Sequence, residues 1–179
     1  MLQADRPERV AEILSRYPEK RAALMPMLYE AQDVYGYLTE AAIHEVAAIL
    51  ALDPTEVSSV SEFYSLYYHK PVGRYVIRFC TDMPCALVGA ESAYDELLDI
   101  LGLEDGGTTE DGLFTVEQAV CLAACGVAPV LQVNLRFFAT MTRAKMEALI
   151  DTIRAGGLPE DHPVELNTTR TADTVTGLA

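Results

Sequence analysis

The sequence predicts an α/β (α+β) chain: an N-terminal helical bundle over residues 1–72, a domain with a four-stranded mixed sheet flanked by helices over 73–157, and a polar C-terminal tail over 158–179. Three observations carry this reading. Apolar residues recur at intervals of three and four up to about residue 70, short β-branched and aromatic runs replace them after Pro71 and Gly73, and periodicity ends near Leu158.

In the first segment Val10, Ile13, Leu14 and Tyr17 share one helical face, and Pro18 ends that helix. A second helix carries Leu24, Leu28, Ala31 and Tyr35 and stops at Gly36, with Pro26 implying a kink or a late start. Thr39 is suited to cap a third helix whose Ile43, Val46, Ala47 and Leu50 face inward. Asp53-Pro54-Thr55-Glu56 then gives a fourth helix its cap, first-turn proline and reciprocal acid, ahead of Val57 and Val60.

After the boundary, Tyr75 to Cys80 reads as a strand. A loop with Pro84 follows, then a helical run with Leu87, Ala90, Tyr94, Leu97, Leu98 and Leu101, a glycine link at Gly106-Gly107, and a strand over Phe114 to Val120. Such a strand-helix-strand unit is parallel and right-handed. Val130 to Val133 and Arg136 to Thr140 are joined too closely to be other than antiparallel, although Asn134-Leu135 lacks the glycine that a two-residue turn prefers. A final helix over 142–154 carries Met146, Leu149, Ile150 and Ile153. The order β-α-β-β-β-α is one that a thioredoxin-like domain gives.

Charge excludes several functions. Lys and Arg number 13 against 27 Asp and Glu, a net −14, and so acidic a surface repels phosphate backbones and anionic lipid heads. The helix after Asp53 holds Glu56 and Glu62 and no cation, which argues against a DNA-reading helix. The uncharged stretch from Ala119 to Leu135 is interrupted by Gly126 and Pro129 and is too short to span a bilayer. Asp5, Arg6, Glu8 and Arg9 occupy the place where a signal peptide needs its apolar core, so a cytosolic or already processed chain is expected.

The four cysteines form one pattern, Cys80-x4-Cys85 followed after 35 residues by Cys121-x3-Cys125. Cys80 ends the first strand and Cys121 ends the second, with Cys85 and Cys125 in the loops leaving that edge, so parallel pairing would bring all four sulfurs together there. The N-terminus of the helix starting near Ala86 would there favour thiolate over thiol. A pair of structural disulfides conflicts with a cytosolic setting. One structural zinc remains open, although zinc sites usually use tighter Cys-x2-Cys knuckles. A [2Fe-2S] cluster suits the longer intervals and needs four cysteines alone. His44, His69 and His162 lie outside the cysteine loops and read as ordinary surface or packing residues. Phosphate-loop, dinucleotide, nucleophile-elbow and zinc-protease motifs are absent from the sequence.

From about Arg21 to Gly157 the sequence resembles the thioredoxin-like [2Fe-2S] subunit of the NADH dehydrogenase module of respiratory complex I. The residues that carry this are Leu24-Met25-Pro26-Met27-Leu28, Ala31-Gln32, Gly36, Phe63-Tyr64, Pro71, Gly73, Cys80-Thr81 through Pro84-Cys85, Gly89-Ala90, Asp111-Gly112-Leu113-Phe114, Cys121 to Cys125 and Ala128-Pro129. Ala123 stands where many relatives have glycine, and Ser61-Glu62 precedes Phe63 where a threonine is common.

The resemblance implies one [2Fe-2S] cluster on Cys80, Cys85, Cys121 and Cys125, in an electron-transfer subunit of NADH:quinone oxidoreductase without complete activity of its own. It further implies FMN and NADH on a partner subunit, one-electron exchange with that FMN, and a second neighbour in the large iron-sulfur subunit. The cluster would lie off the main path to quinone and limit the lifetime of the flavin's one-electron state. The location implied is the cytoplasmic side of a bacterial inner membrane, or the matrix side if mitochondrial, without membrane insertion.

The diaphorase subunit of an NAD-linked hydrogenase or formate dehydrogenase shares the pattern, and the residues themselves leave a zinc-stapled interaction module open. Residues 1 to 70 hold no plausible chemistry. Phe63, Tyr64, Tyr67 and Tyr68 there suit either a docking surface or packing at the domain junction.

Overall fold

The structure, a computed structural model, describes residues 1–158; the expectation of a polar tail falls, from residue 159 onward, outside the described residues. The chain divides into two compact units, Met1–Val72 and a second beginning at Gly73.

The first unit contains α1 (Leu2–Asp5), α2 (Pro7–Ser15), a 3₁₀ turn (Lys20–Ala23), α3 (Leu24–Tyr35), α4 (Glu40–Leu50) and α5 (Pro54–Phe63). Val10, Ile13, Met27, Leu28, Val46 and Val57 meet in its core. Pro26 is the third residue of α3, where a missing N–H costs no intrahelical bond, so the helix starts late and is not kinked. The Thr39 hydroxyl accepts the Ala42 amide at 3.1 Å, and the Asp53 carboxylate accepts that of Thr55 at 2.8 Å. Both caps lie where the sequence predicts them. Gly36 ends α3 at φ +81°, the left-handed conformation that glycine adopts without strain. Tyr17, expected inward, is exposed and follows the end of α2.

The second unit runs β1 (Tyr75–Cys80), α6 (Met83–Ala86), α7 (Ala90–Leu101), β2 (Phe114–Ala119), a 3₁₀ turn (Cys125–Val127), β3 (Leu131–Val133), β4 (Arg136–Phe138) and α8 (Arg143–Gly156). Among the described residues the four strands form one mixed sheet in the order β2-β1-β3-β4. β1 pairs in parallel with β2, placing Cys80 opposite Ala119, while β1 with β3 and β3 with β4 are antiparallel. Ile77 and Phe79 of β1, Phe114 and Val116 of β2, Leu97 of α7 and Ile150 of α8 share one core. The thioredoxin-like α/β order is therefore the observed one.

Three local expectations need correction. The helical run through Leu87 is two helices, because Gly89 sits at φ +89° between α6 and α7, and Leu87 is 82% exposed instead of core-facing. The later strands are shorter than expected, with Val120, Val130, Ala139 and Thr140 outside the ladder. The turn at Asn134-Leu135 closes without glycine by placing both residues at positive φ, 44° and 71°. Asn134 offsets that strain by accepting the Val76 amide and donating to the Arg74 carbonyl, each at 2.8 Å.

Candidate metal centre

Parallel pairing of β1 and β2 brings the carboxyl ends of both strands to one edge, and all four cysteines belong to that end of the unit. Cys80 is the last residue of β1; its amide donates to the Val130 carbonyl at 3.0 Å, and the Thr81 amide donates to that of Ala119 at 3.2 Å. Cys85 lies within α6, not in a loop, and its amide donates to the Asp82 carbonyl at 2.9 Å. Cys121 follows β2, and Cys125 opens the second 3₁₀ turn.

The sulfurs differ in setting. Cys80 and Cys85 are buried, whereas Cys121 and Cys125 are exposed. Burial foremost, then hydrogen bonding to Cys80, pushes the Cys85 thiol up to about 11, against a smaller opposing effect of the Val130 amide; negative charge on Cys80 and Cys125 raises it further. At Cys121 the Ala123 amide favours the thiolate, but desolvation together with Asp82 and Cys125 leaves the thiol raised. The expectation that a helix N-terminus favours thiolate is therefore reversed at Cys85. α6 has only four residues, so its dipole is small, and burial outweighs it.

These couplings relate the sulfurs in two pairs, Cys80 with Cys85 and Cys121 with Cys125, with Cys85 also feeling Cys125. Among the described residues no three His, Cys, Asp or Glu side chains are gathered tightly enough for a single metal ion.

Backbone donors complete the site. The Ala123 amide points at Cys121 Sγ from 3.4 Å, an orientation that comes with φ +56° at Ala123. A glycine would reach that conformation without strain. The Val130 amide serves the Cys85 sulfur in the same sense. Sulfur donors in two pairs with backbone N–H groups aimed at them fit an iron-sulfur group, whose negative sulfurs such amides stabilise.

Several apolar side chains next to the cysteines in sequence are exposed: Val120, before Cys121, is 84% exposed, and Met83 and Leu87, on either side of Cys85, are 73% and 82% exposed. The sequence pattern missed the exposure of Leu87 and Val120 because it assigned them to a buried helix face and a strand. His44 and His69 line one shallow groove of the first unit with Glu40 and Thr55, a proximity that their positions in sequence do not reveal. His162 lies outside the described residues.

A model of the family described as thioredoxin-like [2Fe-2S] ferredoxin matches residues 10–154. NADH-quinone oxidoreductase subunit 2 of Thermus thermophilus is 40% identical over 155 residues, covering 85% of this chain and 86% of that protein. An NADH-quinone oxidoreductase subunit of Mycobacterium tuberculosis is also 40% identical, over 144 residues that cover 80% of this chain and 57% of the relative. A solved structure of NAD+-reducing [NiFe]-hydrogenase in the H2-reduced state is similar with a TM-score of 0.65 at 24% identity. That likeness covers 78% of this chain and 24% of the hydrogenase chain, and it bears on the fold alone.

Proposed function

The chain belongs to the thioredoxin-like [2Fe-2S] ferredoxin family, and from that premise we propose that it is an electron-transfer subunit of an NADH:quinone oxidoreductase, holding one [2Fe-2S] cluster on Cys80, Cys85, Cys121 and Cys125. The observation that carries the proposal is the placement of the cysteines, two by two, at the carboxyl ends of the parallel strands β1 and β2: Cys80 closes β1 with Cys85 five residues on, Cys121 follows β2 with Cys125 four residues on, and the Ala123 amide lies 3.4 Å from Cys121 Sγ. Each pair supplies two thiolates, the number that one iron of a binuclear cluster takes from protein.

When bound, such a cluster accepts and returns single electrons. The chain's own residues would hold it, keep water from its Cys80 and Cys85 side by burial, and leave its Cys121 and Cys125 side at the surface. Val120, which precedes Cys121, is exposed, as are Met83 and Leu87 on either side of Cys85. Exposed apolar side chains of this kind suit a protein partner that seals the site and brings a second redox group within electron-transfer reach. The partner proposed is the subunit that binds NADH and FMN, with FMN as the one-electron exchange group and the large iron-sulfur subunit as a further neighbour.

Among the described residues no helix is long and apolar enough to cross a membrane. From the family resemblance, a peripheral position on the cytoplasmic side of a bacterial inner membrane, or the matrix side if mitochondrial, is proposed. The proposed division of labour is a helical unit over 1–72 that docks and a sheet unit over 73–157 that holds the cluster.

The test is purification without oxygen, with iron, sulfide and zinc measured on one sample and paramagnetic resonance spectra recorded before and after reduction. The expected result is about two irons and two sulfides per chain, with a signal that appears only on reduction. Colourless protein with about one zinc would replace the proposal with a structural module.

A further inference from the structure

We propose that the Arg78–Glu117 ion pair sets the reduction potential of the group held by the four cysteines; this rests on the electron-transfer reading above. β1 and β2, the strands that lead to Cys80 and Cys121, have the sequences YVIRFC and FTVEQA. Arg78 and Glu117 are the charged residues of both strands, and they are direct register partners. Arg78 Nε is buried and lies 2.8 Å from Glu117 Oε1. The two side chains are only 14% and 30% exposed.

Such a pair adds little net stability, because desolvation offsets most of the attraction and apolar residues of similar volume do as well. Its consequence is electrostatic. Arg78 is two residues from Cys80, about 7 Å along a strand that rises about 3.3 Å per residue. Glu117 precedes Cys121 by four residues, so the cation lies nearer to its strand's cysteine than the anion does. Across the sheet Arg78 faces Gln132 of β3, which is uncharged.

An added electron increases the negative charge in the site, which Arg78 favours and Glu117 opposes. Low exposure keeps solvent and salt from screening the pair as they screen surface charges. Arg78 and Glu117 act here as positioning residues for charge and do not ligate the group.

The experiment is a redox titration of the cluster-loaded full chain, followed by paramagnetic resonance, for wild type, Glu117→Gln, Arg78→Gln, Arg78→Lys and the double variant Arg78→Gln/Glu117→Gln. The midpoint potential is expected to rise in Glu117→Gln and fall in Arg78→Gln. It should stay near wild type in Arg78→Lys, and the double variant should lie between the two single ones. A merely structural role would move both single variants in the same direction, and that result overturns the proposal.

Unchanged potentials at full iron and sulfide content overturn it equally. Where Arg78→Gln does not fold, Glu117→Gln against Arg78→Lys decides the matter in the same way, upward for the first and unchanged for the second. A wild-type chain that binds zinc and no iron-sulfur group defeats the electron-transfer reading itself, so the two failures are distinct.

Discussion

The Glu45 carboxylate accepts the backbone amide of Leu2 at 2.7 Å, tying α4 to the first turn of α1 across 43 residues of sequence. Its other oxygen accepts the Gln3 amide at 3.0 Å, and Tyr35 donates its hydroxyl to the carboxylate at 2.7 Å. Desolvation alone would raise the Glu45 carboxyl, but the Gln3 amide, the Tyr35 hydroxyl and the Leu2 amide outweigh it and hold it below the ordinary range. A carboxyl depressed on folding contributes stability that is present above its unfolded pKa, about 4.3, and is lost as pH falls through the folded value below that.

Glu45→Ala is therefore expected to lower stability at pH 7 by about 1–2 kcal/mol, the range for losing a helix cap together with one hydroxyl bond. The gap from wild type should narrow as pH falls below about 4. Urea unfolding at pH 7, 5 and 3 measures it; a gap independent of pH would assign the loss to packing.

Gly73 makes a different prediction. A Cβ built there would lie 2.7 Å from the Phe114 carbonyl carbon and 2.9 Å from the Thr115 nitrogen, both backbone atoms that a rotamer change cannot move. The Gly73 amide also donates to Thr115 Oγ1 at 2.6 Å, fixing the strand entry. Gly73→Ala is expected to cost about 1–3 kcal/mol as overpacking. At Gly36, φ is +81° but nothing lies within 4 Å of an added Cβ, so Gly36→Ala should cost only about 1 kcal/mol of backbone strain. Denaturation midpoints rank the two, and equal losses would contradict the steric account.

These residues show which parts of the molecule are legible in sequence. Thr39 and Asp53 cap helices through contacts two or three residues away, so local pattern finds both, while Thr142, read as the start of the last helix, turns out to be its cap. The α1 turn was not expected, because four residues carry no periodicity and their cap comes from Glu45, far along the chain. The break at Gly89 was hidden by apolar Leu87, which fits a helical stripe in sequence yet is exposed. The cysteine pattern points to a shared edge because parallel strands put their ends together. Which sulfurs would be buried depended on Cys85 lying in a helix, and spacing cannot supply that.

Phe63, which ends α5, is 80% exposed, and its ring meets Tyr64 edge-on with centroids 5.0 Å apart. Tyr67 is buried and donates its hydroxyl to the Met25 carbonyl at 3.0 Å. Phe63→Ala should leave unfolding stability within about 0.5 kcal/mol, as exposed substitutions do, while weakening binding to the NADH-binding subunit if the helical unit docks there. Tyr67→Phe should instead lower stability by about 1 kcal/mol through the lost hydrogen bond. Calorimetric binding and thermal unfolding on the same samples separate the roles, and unchanged affinity in Phe63→Ala would remove this patch from the docking surface.

Replacing cysteines one at a time tests the ligand assignment. Cys80→Ser, Cys85→Ser, Cys121→Ser and Cys125→Ser are each expected to lose or distort the cluster, because a hard oxygen replaces one of four soft donors. The buried pair should suffer more, since a serine hydroxyl at Cys80 or Cys85 must also satisfy its hydrogen bonding in an apolar setting. Iron content and visible spectra read the outcome. Full content with an unchanged spectrum in any variant removes that residue from the ligand set.

Metal-free protein offers a check that needs no cluster. Cys121 and Cys125 are exposed, while Cys80 and Cys85 are buried and the Cys85 thiol is pushed up to about 11. Alkylation requires the thiolate and access to it, so at pH 8 two thiols should react quickly with iodoacetamide and two slowly. Because the Cys85 pKa is raised, its rate should keep climbing with pH beyond 9, after an unperturbed thiol of pKa about 8.5 has levelled off. Mass spectrometry of timed aliquots assigns each alkylated position. Four equal rates would mean that the metal-free sheet end opens to solvent, and the difference between the two cysteine pairs would then belong to the loaded protein alone.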